Sequence, residues 1–81
     1  MLKLNVRTKR SPADVVKKTL EFFGPGGYGL KVTKQSDNCI SFEGGGGDIT
    51  VTACADNKGA SVDIETQGWE NQVREFARKI K

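Results

Sequence analysis

Leu2, Leu4 and Val6 alternate with Lys3, Asn5 and Arg7 at the start of the chain. Alternation of this kind puts apolar side chains on one face of an extended segment, so residues 2–8 read as a half-buried β-strand. The period then changes. Val16, Leu20 and Phe23 recur at helical spacing, flanked by Val15, Thr19 and Phe22, while Lys17, Lys18 and Glu21 fall on the opposite side. "SPAD" opens this stretch with a helix start: Ser11 suits the N-cap, Pro12 the first helical position, and Asp14 the far side of a capping box. Gly24 and Pro25 end it.

Period two resumes at residue 28. "YGLKVTK" groups Tyr28, Leu30 and Val32; "CISFE" groups Ile40 and Phe42. "ITVTACA" groups Ile49, Val51, Ala53 and Ala55, and "ASVDIET" groups Val62 and Ile64. The links "SDN", "GGGGD" and "DNKG" are turn-forming, and links this short join antiparallel neighbours. After Gly68 the period is helical again, with Trp69, Val73, Phe76 and Ile80 on one stripe and basic residues in the last turn. The predicted order is β-α-β-β-β-β-α. This is an α+β fold in which one curved antiparallel sheet of about five strands is covered on one face by two helices.

Side-chain parity also sets expected registers. Ala55 opposite Ala60 aligns Val51 with Ile64 and Thr52 with Asp63. Gly44 opposite Ile49 aligns Phe42 with Val51 and makes neighbours of Cys39 and Cys54.

Composition narrows the function classes. With 81 residues there is room for a single domain, residues 1–81, and a thin core. No apolar run reaches membrane-span length and the start lacks a signal-peptide pattern, so a cytoplasmic location is expected. The chain has two cysteines and no histidine, which excludes a disulfide framework, an ordinary zinc site and every Ser-His or Cys-His nucleophile pair. Both cysteines read as reduced packing residues. Glu43, Asp48, Thr50 and Glu65 fall where a wet strand face needs polar groups, so a non-enzymatic protein without metal or cofactor is expected.

"GPGGYG" carries the glycine spacing of a dinucleotide-binding turn at Gly24, Gly26 and Gly29. Its context is inverted. Such a turn leaves a strand and opens a helix whose N–H groups meet the pyrophosphate, whereas this one closes a helix and leads into a strand. "GGGG" lacks the Gly-Lys-Ser/Thr of a phosphate loop. In an antiparallel meander, however, both glycine segments, Gly68 and Trp69 fall at the same end of the sheet. That points to a gated pocket for an apolar or amphipathic small molecule between the sheet and the C-terminal helix. Tyr28, Phe42, Trp69, Val73 and Phe76 would line it, and Gly26, Gly27, Gly45 and Gly46 would serve as gating loops. The competing reading is that these aromatics only fill the core.

Two other roles are open. The net charge of +3 is mildly basic, and a nucleic-acid partner would use Lys9, Arg10, Lys17 and Lys18 or Arg74, Arg78, Lys79 and Lys81. The exposed sheet face offers no aromatic platform for base stacking, which disfavours it. The second strand, as a sheet edge guarded by Lys31 and Lys34, leaves a protein-interaction role with a monomer or weak homodimer.

"NVRTKRSPADVV" and "VDIETQGWENQVREFARKI" resemble the opening strand-to-helix and the closing strand-to-helix of helix-grip proteins, the START and Bet v 1-like superfamily with its polyketide cyclase-like members. The resemblance covers both chain ends, about half the length. It implies that the first strand pairs with the last, which would place Lys3 and Arg7 beside Asp63 and Glu65, and that a lipid-type ligand sits under the C-terminal helix. Those proteins carry a second helix after the first strand and about seven strands, where this chain offers one helix and about five strands.

Overall fold

The elements follow the predicted order: β1 (Leu2–Thr8), α1 (Pro12–Phe23), β2 (Lys31–Gln35), β3 (Cys39–Gly44), β4 (Gly47–Asp56), β5 (Gly59–Gln67) and α2 (Glu70–Ile80). The computed structural model describes residues 1–80; Lys81, counted above among the tail cations, lies outside the described residues. The five strands form one open antiparallel sheet in the order β1-β5-β4-β3-β2. First strand therefore pairs with last, and β1 and β2 are the edges. Among the described residues no helix is long and apolar enough to cross a membrane.

Both helices cover one face of the sheet, α1 over β3 and β4 and α2 over β5 and β1. Ile40, Phe42, Ile49, Val51, Val62 and Ile64 meet Val15, Phe23, Val73 and Phe76 across this layer. Each such side chain, taken fully out of water, contributes about 1.5–3 kcal/mol. Two threonines share the core because their hydroxyls are satisfied: Thr19 donates to the Val15 carbonyl at 2.7 Å and Thr66 to the Asp48 carbonyl at 2.7 Å. Thr8 likewise donates to the Ile80 carbonyl, tying the end of α2 to β1.

Helix α1 starts as its sequence requires. Ser11 is extended at the N-cap and its hydroxyl accepts the Asp14 N–H at 3.2 Å, with Pro12 next. The Asp14 carboxylate turns to Arg10, at 2.9 Å, so the capping box is only half used. The buried stripe runs through Val15, Val16, Thr19 and Phe23, so Val16 and Phe23 of the predicted stripe are buried and Thr19 takes the place expected of Leu20. Leu20 and Phe22 are half-buried. A helix resting on a sheet with a second helix at its flank buries a wider and rotated arc.

Four expectations are corrected. Tyr28 is not in β2, which begins at Lys31. The Tyr28 N–H donates to the Phe22 carbonyl and the Leu30 N–H to the Phe23 carbonyl, at 3.2 and 2.9 Å, so the helix end takes the donors that a strand ladder would need. In β4, Ala55 is exposed rather than inward, because β3 begins only at Cys39, opposite Thr52, and Ala55 has no strand on that side. Lys3 does meet Glu65, at 3.7 Å, but Arg7 stands opposite Ser61 and reaches Asp56 at 3.2 Å instead, while Asn5 takes Asp63 at 2.7 Å.

The fourth correction is the β3–β4 register. Gly44 pairs with Gly47, not Ile49, so Phe42 faces Ile49 and Cys39 faces Thr52. Gly45 and Gly46 alone form the turn, with φ of 58° and 80°, the two positive values of a type I′ hairpin. The β4–β5 register is the one expected, with Ala55 opposite Ala60 and Val51 opposite Ile64. Cys54 is exposed opposite Ser61, so only Cys39, half-buried, packs against its neighbours. Displaced by two residues across the ladder, the thiols sit on a diagonal of roughly 7–8 Å, beyond disulfide reach. Mild oxidation of dilute protein is therefore expected to leave two titratable thiols and no intramolecular bond. A mobility shift reversed by reductant under those conditions would contradict this register.

Candidate functional site

The glycine-lined end of the sheet holds an aromatic cluster. Trp69 immediately precedes α2, and its indole N–H donates to the Gly44 carbonyl at 2.9 Å. The Tyr28 ring meets Trp69 edge-on at 5.6 Å and Phe22 at 5.5 Å. Glu70 accepts the Gly68 N–H at 3.0 Å, which holds its carboxyl below the usual range. Of the residues expected to cluster at one rim (Gly24–Gly27, Gly44–Gly47, Gly68 and Trp69), Gly45 and Gly47 lie against Trp69 and Gly68 against Gly47. Tyr28, next to the first glycine segment, also meets Trp69.

Of the five side chains assigned to a pocket, Phe42, Val73 and Phe76 are at most 2% exposed. They face Phe23 and one another as core: Phe23 lies 6.0 Å from Phe42 and 5.4 Å from Phe76, ring centre to ring centre. Trp69 is half-buried, and Tyr28 is 46% exposed. The segment holding Gly26 and Gly27 is tied back to α1, with the Gly27 and Gly29 N–H groups donating to the Gly24 carbonyl at 2.9 and 2.8 Å. Gly45 and Gly46 close a hairpin rather than a long loop. These four glycines shape tight turns.

Concave surface lies elsewhere. Between α1 and α2 a cleft of about 270 Å³ has Phe22, Phe76 and Ile80 in its floor, with Arg10, Lys18, Lys79 and Glu21 around it, Glu21 paired with Lys18 at 3.9 Å. The Phe22 and Phe76 rings are 5.3 Å apart, and the Lys79 ammonium stands 5.1 Å over the Phe22 ring. At the end of this cleft opens a second hollow of about 510 Å³, where the end of β1, the β4–β5 turn and the end of α2 meet. Arg7, Lys9, Arg10 and Lys58 surround it, with Asp56 the one carboxylate. Arg10 and Ile80 line both, so the two depressions adjoin.

The charges around the hollow are organised by Asp56. The Lys58 backbone N–H donates to its carboxylate at 2.8 Å and Arg7 at 3.2 Å. Those bonds, the backbone one foremost, hold the Asp56 carboxyl below its ordinary range, so it stays ionised and keeps Arg7 in place. A third depression, on the outer sheet face, is the polar one: Glu43 and Asp48 stand directly opposite each other there. Among the described residues no group of three acidic, cysteine or histidine side chains could hold a metal.

Sequence reasoning found Phe76 of the cleft, and Lys9, Arg10 and Lys18 as charge. It missed Phe22 and Ile80 as floor, and Arg7 and Lys58 as parts of one hollow. The half-exposed Phe22 beside the stripe was the available signal; nothing local ties Lys58 to Arg10, 48 positions away in the chain. Comparison with known proteins adds no relative: no family model, no curated protein and no solved structure matches this chain.

Proposed function

We propose that the protein is a non-enzymatic binder of an apolar or amphipathic small molecule, held in the α1–α2 cleft. One observation carries this reading: the half-buried Phe22 ring is the exposed part of an apolar floor continued by the buried Phe76 and Ile80, within a border of Arg10, Lys18 and Lys79 with Glu21. Pockets for small ligands are mostly apolar with a few polar groups at fixed positions, and span roughly 300–1,000 Å³. Cleft and adjoining hollow together fall in that range. The layer between sheet and α2 is filled, so this reading uses the cleft where α1 and α2 meet rather than the space the sequence pointed to. The lack of histidine, and among the described residues of any buried carboxylate, supports binding over catalysis.

The test is an amide-shift titration of the full chain with decanol and with decyl phosphate. Shifts are expected at Phe22, Phe76, Ile80 and their neighbours, and Phe22→Glu is expected to abolish them while the far-ultraviolet spectrum stays unchanged. No shift with either amphiphile up to its solubility would overturn the proposal. Shifts confined to Tyr28, Trp69 and Val73 would return the site to the sheet.

A self-associating role has one observation in its favour, since β1 is a seven-residue edge strand in unbroken register. Two-fold pairing of that edge about Asn5 would set Lys3 against Arg7 of the second copy, and like charges opposed in this way destabilise a pair. The other edge, β2, has a register irregularity between Val32 and Lys34 and carries Lys31 and Lys34, which blunts it.

A further inference from the structure

We infer that the hollow beside the cleft receives an oxyanion head, so that the ligand is a single-chain amphiphile ending in a phosphate or a carboxylate. This rests on the binding reading above and adds the chemistry of the polar end. The lining sets four cations against one carboxylate, a surplus of three that equals the net charge of the whole chain. Arg10 is paired with Asp14 at 2.9 Å, so the charge left for an incoming group is chiefly that of Arg7, Lys9 and Lys58.

The state of Arg7, Lys9 and Lys58 favours an incoming anion, while Arg10 already holds Asp14. Asp56 spends its oxygens on the Lys58 N–H and on Arg7, and in doing so orients the guanidinium instead of leaving a bare carboxylate in the hollow. Arg7 keeps its remaining N–H groups in solvent, with 77% of its side chain exposed. Among the described residues neither Lys9 nor Lys58 takes part in an ion pair. Guanidinium groups present planar paired donors to phosphate and carboxylate, and the two ammonium groups add point charge.

Continuity supplies the second part. Arg10 and Ile80 belong to both depressions, so a head among Arg7, Lys9, Arg10 and Lys58 leads directly onto Ile80, Phe76 and Phe22. An anion without an apolar tail would leave the cleft empty. An amphiphile uses both.

The experiment is calorimetric titration of the full chain with decyl phosphate, decanoate, decanol and inorganic phosphate, repeated on the Lys9→Gln/Lys58→Gln variant. Both lysines are exposed, so the variant is expected to keep the wild-type unfolding midpoint within error. Decyl phosphate and decanoate are expected to bind at least tenfold tighter than decanol. The variant is expected to lose most of that advantage while its affinity for decanol stays the same. Equal affinities for decyl phosphate and decanol would overturn the head assignment and leave the cleft reading standing. Inorganic phosphate binding as tightly as decyl phosphate would keep the hollow as an oxyanion site and overturn the amphiphile. Binding by none of the four would overturn both.

Discussion

Phe23→Ala is expected to remove about 3–5 kcal/mol of stability, the usual cost of truncating a fully buried phenylalanine. The side chain has no solvent exposure and closes the last turn of α1 onto the sheet. Its ring lies within 6.0 Å, centre to centre, of Phe22, Tyr28, Phe42 and Phe76, so its loss opens a gap bordered by four other rings. Those rings belong to α1, the α1–β2 connection, β3 and α2, and they cannot all collapse into the space at once. A domain of this length is typically stable by roughly 4–12 kcal/mol, so the variant stands close to the threshold of folding at room temperature. Phe23→Leu, which keeps most of the volume, is expected to lose less than half as much. Urea denaturation of the three proteins reads this directly, as a fall in midpoint at constant slope. A loss under about 1 kcal/mol for Phe23→Ala would mean that the aromatic cluster is not the centre of the core.

The second large effect is expected at the β3–β4 turn. Gly45 has a φ of 58°, and a Cβ placed on it would come within 2.8 Å of Trp69 Cζ2. A β-branched residue meets both obstacles, the left-handed backbone and the indole. Gly45→Val is therefore expected to cost about 2–3 kcal/mol, from left-handed strain of roughly 1–2 kcal/mol and the loosening of the Trp69–Gly44 hydrogen bond, worth about 1. Gly46 has a φ of 80° and open space around it, so Gly46→Asn, a residue that tolerates this conformation, is expected to stay within about 1 kcal/mol of wild type. Thermal unfolding of both variants, with tryptophan fluorescence as the second probe, separates the cases. Equal destabilisation would show that turn conformation alone matters; a blue-shifted, unperturbed tryptophan in Gly45→Val would contradict the close approach.

That turn also shows where reading from the chain stopped. Four consecutive glycines carry no side chains, and parity is blind to a slip of two residues. Pairing Gly44 with Ile49 or with Gly47 sends Phe42, Ile49 and Val51 to the same face, so the pattern accepts both. Only the preference of the hairpin for a two-residue turn chooses between them. "DNKG" posed no such ambiguity, because Ala55, Ala60 and their neighbours bracket it closely and Asp56 closes the turn by accepting the Lys58 N–H. Tyr28 failed for a different reason: its alternation with Leu30 and Val32 is real, but the carbonyls at the end of α1 compete for its backbone and win.

The candidate site was less legible than the fold. Phe42, Val73 and Phe76 were correctly oriented toward the layer between helices and sheet, yet orientation does not say whether a layer is filled or hollow. That depends on how closely α1 and α2 approach, which is set by volumes contributed from every strand. The cationic hollow was harder still.

Hydrophobic periodicity and turn chemistry were enough to specify seven elements, their order, and which face of each is apolar, because these follow from nearest-neighbour geometry along the backbone. Contacts between distant segments belong to the folded molecule alone. The meeting of Arg7, Arg10, Lys58 and Ile80 around one hollow, and the placing of Phe22 beside Phe76 between the helices, arise from how two helices rest on five strands. No local pattern encodes that arrangement; it is the outcome of close packing over the whole core.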